Sequence, residues 1–232
     1  MSQEQNELQL PPVLKAPYEL LQQAMTEEKY TEAYFLLVSL YEAVLKLIVL
    51  SALATLQKQK RRLVDDEGQP TPYLLELMKL LHSPPSFGTW GQVCAFLRKE
   101  TWTDEIHGNT LKTLLCQVEA LLAKEVYGGQ HIIELRNFFS HGAPWLLVSK
   151  GLREECCKMT TNLKEYLDAF LQKNHALLPR LGVVQTENGL TVLGIEAGDF
   201  FHCAENATFF FNYLKTREKD SCWNGLCYTV AH

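Results

Sequence analysis

The stretch YTEAYFLLVSLYEAVLKLIVLSALATLQKQKRR, residues 30–62, contains no glycine and no proline. Its apolar residues recur at three- and four-residue spacing, the period of a helix. A helix this apolar has two ways to satisfy itself: as the centre of a packed core, or as a membrane span. Glu42 and Lys46 fall inside its most apolar part. They form an i,i+4 pair on one helix face, whereas the middle of a bilayer would charge heavily for both. The spacing therefore predicts a long core helix over 31–61, around which the rest of the chain must arrange itself.

The neighbouring segments carry the same period. Shorter helices are predicted over 17–26 and 72–82, and another from Thr89, acting as cap, to about Lys99. LKTLLCQVEALLAKEV predicts a helix starting at Asn109 or Thr110 and stopped by Gly128 and Gly129. Helices over 130–141 and 152–173 complete the set, the first stopped by Gly142 and Pro144. Helices joined by short connections suggest a mainly α, up-and-down bundle. After Pro179 the texture changes. RLGVVQTENGLTVLGIEAG has β-branched runs on either side of Asn188-Gly189, a strong hairpin signal, and ATFFFNYLK and GLCYTV read as further strands. The expected organisation is a tail over 1–16, a helical bundle over 17–178 and a small antiparallel β appendage over 179–232.

Composition narrows the function. With 47% hydrophobic and 21% charged residues the chain is ordinary globular protein. A net charge of −5 disfavours a general nucleic-acid coat, which needs a basic surface, but allows an enzyme that touches RNA over a few nucleotides. The N-terminus shows no secretory pattern, so a cytoplasmic protein without membrane association is expected. Cys94, Cys116, Cys156, Cys157, Cys203, Cys222 and Cys227 are then reduced thiols rather than a disulfide framework. His202, Cys203, Cys222 and Cys227 do not match a strong zinc spacing. There is no phosphate loop, dinucleotide fingerprint, HExxH or nucleophile elbow, and no cofactor is expected.

Residues 134–142, ELRNFFSHG, hold the strongest chemical lead. Arg and His five positions apart are a weak signal alone, since composition yields roughly 0.2 such pairs by chance. The weight comes from Asn137 directly after Arg136, Gly142 directly after His141, and a place on the penultimate helix of a bundle. Histidine titrates near neutral pH, and a helix C-terminus favours its protonated form. Arginine offers a permanently charged fork for phosphate oxygens. On a regular helix, Glu134, Asn137 and His141 fall within roughly 60° of one another, and Ile132, Leu135 and Phe139 form a core stripe. Arg136 lies about 140° from His141 on the same wheel. One regular helix does not assemble the pair.

RNFFSHG resembles the R-N-x-x-x-H motif of the HEPN superfamily of helical-bundle domains, found in toxins, phage-defence effectors and RNA-processing enzymes. YEAVLK upstream resembles the first major helix of such domains, so the resemblance covers residues 17–173. It implies a metal-independent endoribonuclease, in which a 2′-hydroxyl attacks the adjacent phosphate to leave a cyclic phosphate and a 5′-hydroxyl. His141 is then the general acid or base, Arg136 stabilises the phosphorane, and Asn137 orients His141 or the phosphate. Glu134 and Ser140 stand beside them as supporting residues. A two-fold homodimer presenting Arg136 and His141 from both subunits across one groove is also implied. Trp145, Lys150 and Arg153 are candidate RNA contacts, with packing or a solvated face as the plainer reading. Ala143 stands where tyrosine-modified toxins of this family carry their tyrosine. A regulatory protein partner is expected, because an unrestrained ribonuclease is toxic. The competing reading is a non-catalytic helical interaction module in which the motif is structural.

Overall fold

The computed structural model describes residues 10–58, 65–67, 69–80, 86–100, 107–142, 153–178, 180–185 and 191–196. In chain order these form α1 (Pro12–Thr26), α2 (Tyr30–Lys58), α3 (Pro72–Leu80), α4 (Phe87–Arg98) and α5 (His107–Leu122). There follow strands β1 (Glu125–Tyr127) and β2 (Gln130–His131), α6 (Ile132–Asn137), a π-helical turn (Phe138–Gly142), α7 (Arg153–Asn174), and strands β3 (Arg180–Gln185) and β4 (Thr191–Glu196). The protein is mainly α, with two small antiparallel strand pairs.

Two compact units are distinguished, Met1–Val44 with Gln117–Leu178, and Leu45–Cys116 with Pro179–His232. In the first, Leu14 and Leu21 of α1, Tyr34, Leu37 and Tyr41 of α2, and Leu163 and Leu167 of α7 are all buried. Polar bonds tie these helices together without leaving the core wet. The Tyr41 hydroxyl donates to the Leu163 carbonyl at 2.9 Å in a buried setting. The Tyr18 hydroxyl donates to Asp168 at 2.8 Å, and Lys164 pairs with the other carboxylate oxygen. Burial, then the bond to Asp168, pushes the Tyr18 hydroxyl up to about 12.

The corner between α1 and α2 shows how tightly this unit is folded. Lys29 donates its amide to Ala24 at 2.9 Å and Glu28 donates to Met25 at 3.2 Å, the paired bonds of a Schellman cap. Glu28 therefore sits at φ 54, where glycine is the usual residue. Its carboxylate meets Arg153 at 2.7 Å, with both side chains more than half exposed, so the pair contributes little. Glu28→Gly is expected to raise stability by about 0.5 kcal/mol, read as a higher urea midpoint. A lower midpoint would show that the ion pair outweighs the strain.

In the second unit Leu74, Leu77, Phe87, Trp90, Val93 and Leu97 are buried with Leu47, Ile48, Leu111, Leu114 and Leu115. Tyr73 and Phe96 stack with centroids 4.8 Å apart, which joins α3 to α4. The cap of α4 is Ser86, whose hydroxyl accepts from the Thr89 amide at 3.2 Å. The expected cap, Thr89, is instead the residue being capped. Strands β3 and β4 pair in register from Arg180 with Glu196 to Gln185 with Thr191. Asn188-Gly189, ATFFFNYLK and GLCYTV lie outside the described residues, as do Lys60, Arg61, Arg62, His202, Cys203, Cys222 and Cys227.

The start of α1 also differs from the pattern. α1 begins at Pro12 rather than Pro17, with Pro11 as N-cap and Pro17 carried inside. Proline at the first helical position is well suited to start a helix, because its missing N–H has no partner to lose there. α2 is long and apolar enough over Tyr30–Leu53 to cross a membrane, yet 67% of its apolar window is buried inside the structure. That degree of burial is what a core helix shows.

Candidate active site

The motif is positioned by a hairpin that helix periodicity had hidden. Helix α5 ends at Leu122, and Glu125–Tyr127 pairs with Gln130–His131 across Gly128 and Gly129. These glycines have φ of 58° and 79°, the backbone of a tight two-residue turn. Glu125 accepts from the Gly129 amide at 2.9 Å, closing the loop. Asn162 of α7 donates its side-chain amide to the Val126 carbonyl at 2.9 Å and so anchors the hairpin. Asn162→Ala is expected to cost about 1 kcal/mol. Faster amide exchange confined to 125–131 would locate that loss; unchanged exchange there would show the bond to be idle.

From this hairpin α6 starts at once. Glu134 accepts from the His131 amide at 2.9 Å, one half of a capping box at the helix start. Its carboxylate thus serves the helix N-terminus, one turn before the residues it was expected to support. Ile132 and Leu135 are 1% exposed and Phe139 is 7% exposed, which is the core stripe expected from the wheel. Phe139 meets the Tyr34 ring edge-on at 5.3 Å. Arg136 is half-buried, and Asn137 and Ser140 are exposed. The Arg136 guanidinium donates to the Asn137 side-chain oxygen at 3.1 Å.

The helix then changes its winding. Phe138–Gly142 is a π-helical turn, in which bonds run from i to i+5 and each residue rotates by roughly 80° rather than 100°. The wheel separation of Arg136 and His141 falls from about 140° to roughly 80°, and Ser140 comes into line above Arg136. Asn137 and His141 stay nearly superposed, while Glu134 moves away from His141. A regular helix was the wrong ruler for this motif. The backbone of His141 is described and its side chain is not.

The remaining candidates are scattered. Arg153, the first residue of α7, is paired with Glu28. Trp145, Lys150 and Ala143 lie outside the described residues. Among the described residues no group of three or more His, Cys, Asp or Glu is placed to hold a metal ion. Phe138, next to Asn137, is 45% exposed although its ring is held edge-on against Phe139 at 5.1 Å.

Tyr34 was not legible as part of this neighbourhood. It lies about a hundred positions upstream, in a helix whose apolar pattern marks it only as core. Its ring backs the π turn, and its hydroxyl is buried without a hydrogen-bond partner among the described residues. Burial holds that hydroxyl well above the usual tyrosine range; the Cys156 thiol reinforces the shift and the Arg136 charge opposes it. Compared with family models, curated proteins and solved structures, the chain matches none.

Proposed function

We propose that this chain is a metal-independent endoribonuclease of HEPN type, a cytoplasmic defence or toxin effector restrained by a partner protein. The helices around the motif form its HEPN-like bundle. The observation that carries the reading is the π-helical turn over Phe138–Gly142, which falls on the motif itself. π-helical turns are rare in proteins and are found frequently at functional sites. Here the turn draws the positions of Arg136 and His141 toward each other.

In the proposed reaction the 2′-oxygen bonds to phosphorus and the bond from phosphorus to the 5′-oxygen breaks. The 2′-hydroxyl gives up its proton and the departing 5′-oxygen takes one, and His141 serves as the base or the acid. Arg136 holds the phosphorane oxygens with its fork. Asn137 orients the reacting groups, and Ser140 lies beside Arg136. A separation of roughly 80° still leaves the pair on adjoining faces, so a two-fold homodimer completes the groove by adding the same residues from a second protomer.

The test is cleavage of RNA in EDTA, with product ends analysed and with light scattering to give the oligomeric state. Cyclic-phosphate ends from a dimer are expected; a monomer that cleaves at full rate would remove the shared groove. The second reading, a non-catalytic interaction module, draws on exposed Phe138 and on the commitment of Glu134 to the helix cap. Inertness of the wild type both alone and with its partner would favour it.

A further inference from the structure

Phe138 is an aromatic ring inside the motif that the core does not take. It is 45% exposed, yet its ring is held edge-on at 5.1 Å against Phe139, which rests in turn on Tyr34 at 5.3 Å. A ring packed this way offers its free face to solvent with little freedom left to lose on binding. Exposure alone is ordinary for a single apolar residue; the winding of the motif gives it meaning. Phe139 marks the direction of the core. With 100° per residue up to Phe138 and roughly 80° beyond it, Phe138 is turned roughly 80° from Phe139 on one side and Arg136 roughly 80° on the other. Asn137 lies nearly opposite the core, with the position of His141 beside it. The exposures agree, since Asn137 is exposed while Arg136 on one flank is half-buried and Phe138 on the other is half-exposed.

The outward face of the motif thus carries a guanidinium fork along one edge and an aromatic ring along the other, with Asn137 and position 141 on the crest between them. A fork takes a phosphate and a ring stacks on a base, so the pair matches a nucleotide laid across the crest. Charge supports that occupant. Arg136 is a permanent cation, and the carboxylate of Glu134, one turn below Phe138, is drawn back to the His131 amide at 2.9 Å. A ring can stack only on a base whose face is free, and a duplex hides its base faces against one another. We propose that Phe138 is a base-stacking residue and that the substrate is single-stranded RNA, held by one base on the Phe138 ring and a neighbouring phosphate on Arg136. Every base has a face to stack, so this contact tolerates any sequence, with its strength following the stacking of the base. The inference rests on the ribonuclease reading and adds to it the class of RNA and the contact that selects it.

The experiment uses the full chain carrying His141→Ala, so that RNA is bound without being cut. Fluorescent oligoadenylate and its duplex with oligouridylate are titrated against this parent, and against Phe138→Ala, Phe138→Leu, Phe138→Tyr and Phe35→Ala built on it. Light scattering and thermal melting accompany each titration. The parent should hold the single strand more tightly than the duplex. Phe138→Ala should weaken single-strand binding roughly tenfold, as for loss of one base–aromatic stack. Its mass should be unchanged and its thermal midpoint lower by no more than about 4 °C. Phe138→Tyr keeps the ring and should bind like the parent, whereas Phe138→Leu is apolar but not planar and should bind like the alanine variant. Phe35 is the control. It is 46% exposed with its ring on Tyr34 at 5.6 Å, but exposed Glu32 lies one turn before it on α2, so its loss should leave binding unchanged. Preference for the duplex, full binding by Phe138→Leu, weak binding by Phe138→Tyr, or an equal loss from Phe35→Ala overturns the inference. A loss of binding that comes with a fall in mass overturns it too, and assigns Phe138 to contact between copies of the chain. A parent that binds no RNA sinks the ribonuclease reading and takes this inference with it. A parent that binds the single strand, with Phe138→Ala indistinguishable from it, sinks the inference alone.

Discussion

His141→Ala is expected to slow RNA cleavage by roughly 10²- to 10⁴-fold, the usual worth of a positioned acid or base. Arg136→Ala should cost about 10²- to 10³-fold, as for loss of one donor to a developing oxyanion. The Arg136 change is clean because of where it falls. Its hydrogen-bond partner is Asn137, which is exposed, so truncation strands no buried group. The urea midpoint of that variant should stay within about 0.5 kcal/mol of wild type. Arg136→Lys keeps the charge but loses the fork, and should recover only part of the rate. Cleavage is followed in EDTA with cyclic-phosphate ends as the readout, supplying the partner if the isolated chain is silent. If both alanine variants cut at the wild-type rate, neither residue is catalytic and the nuclease reading falls.

What the sequence revealed and what it hid divide along physical lines. The long α2 helix was legible because apolar period and absence of glycine and proline both act locally, and the core stripe of Ile132, Leu135 and Phe139 followed from the same period. The β1–β2 hairpin was hidden because LLAKEV continues a helical rhythm into Glu125–Tyr127, and only Gly128-Gly129 marked the turn. The π turn was hidden more deeply. A wheel drawn at 100° per residue presumes regular winding, and nothing in RNFFSHG announces a change to i→i+5 bonding. Tyr34 was invisible for a third reason. Its place against Phe139 depends on packing between α2 and the motif, and long-range packing leaves no local pattern.

Phe139→Ala should be the most damaging single change near the motif for stability, at about 3–5 kcal/mol. The residue is 7% exposed, and its ring meets Tyr34 edge-on at 5.3 Å, a geometry that adds to simple burial. Truncation opens a cavity beside a tyrosine that is itself 1% exposed, and neighbours in a close-packed core collapse only partly into such a space. For a chain of this length the loss corresponds to a fall of roughly 10 °C in Tm. Phe138→Ala is the control, because it removes the same group one position away. Phe138 is 45% exposed, so its loss should cost no more than about 1 kcal/mol. Calorimetry on both variants decides the matter. Equal destabilisation by the two would mean that the π turn is not anchored through Phe139, and the reversed order would place the wrong phenylalanine in the core. If the expected order holds, the cleavage rate of Phe139→Ala below its melting point becomes informative. A rate that falls further than the folded fraction requires would show that Phe139 holds the winding of the turn, and with it the approach of His141 to Arg136.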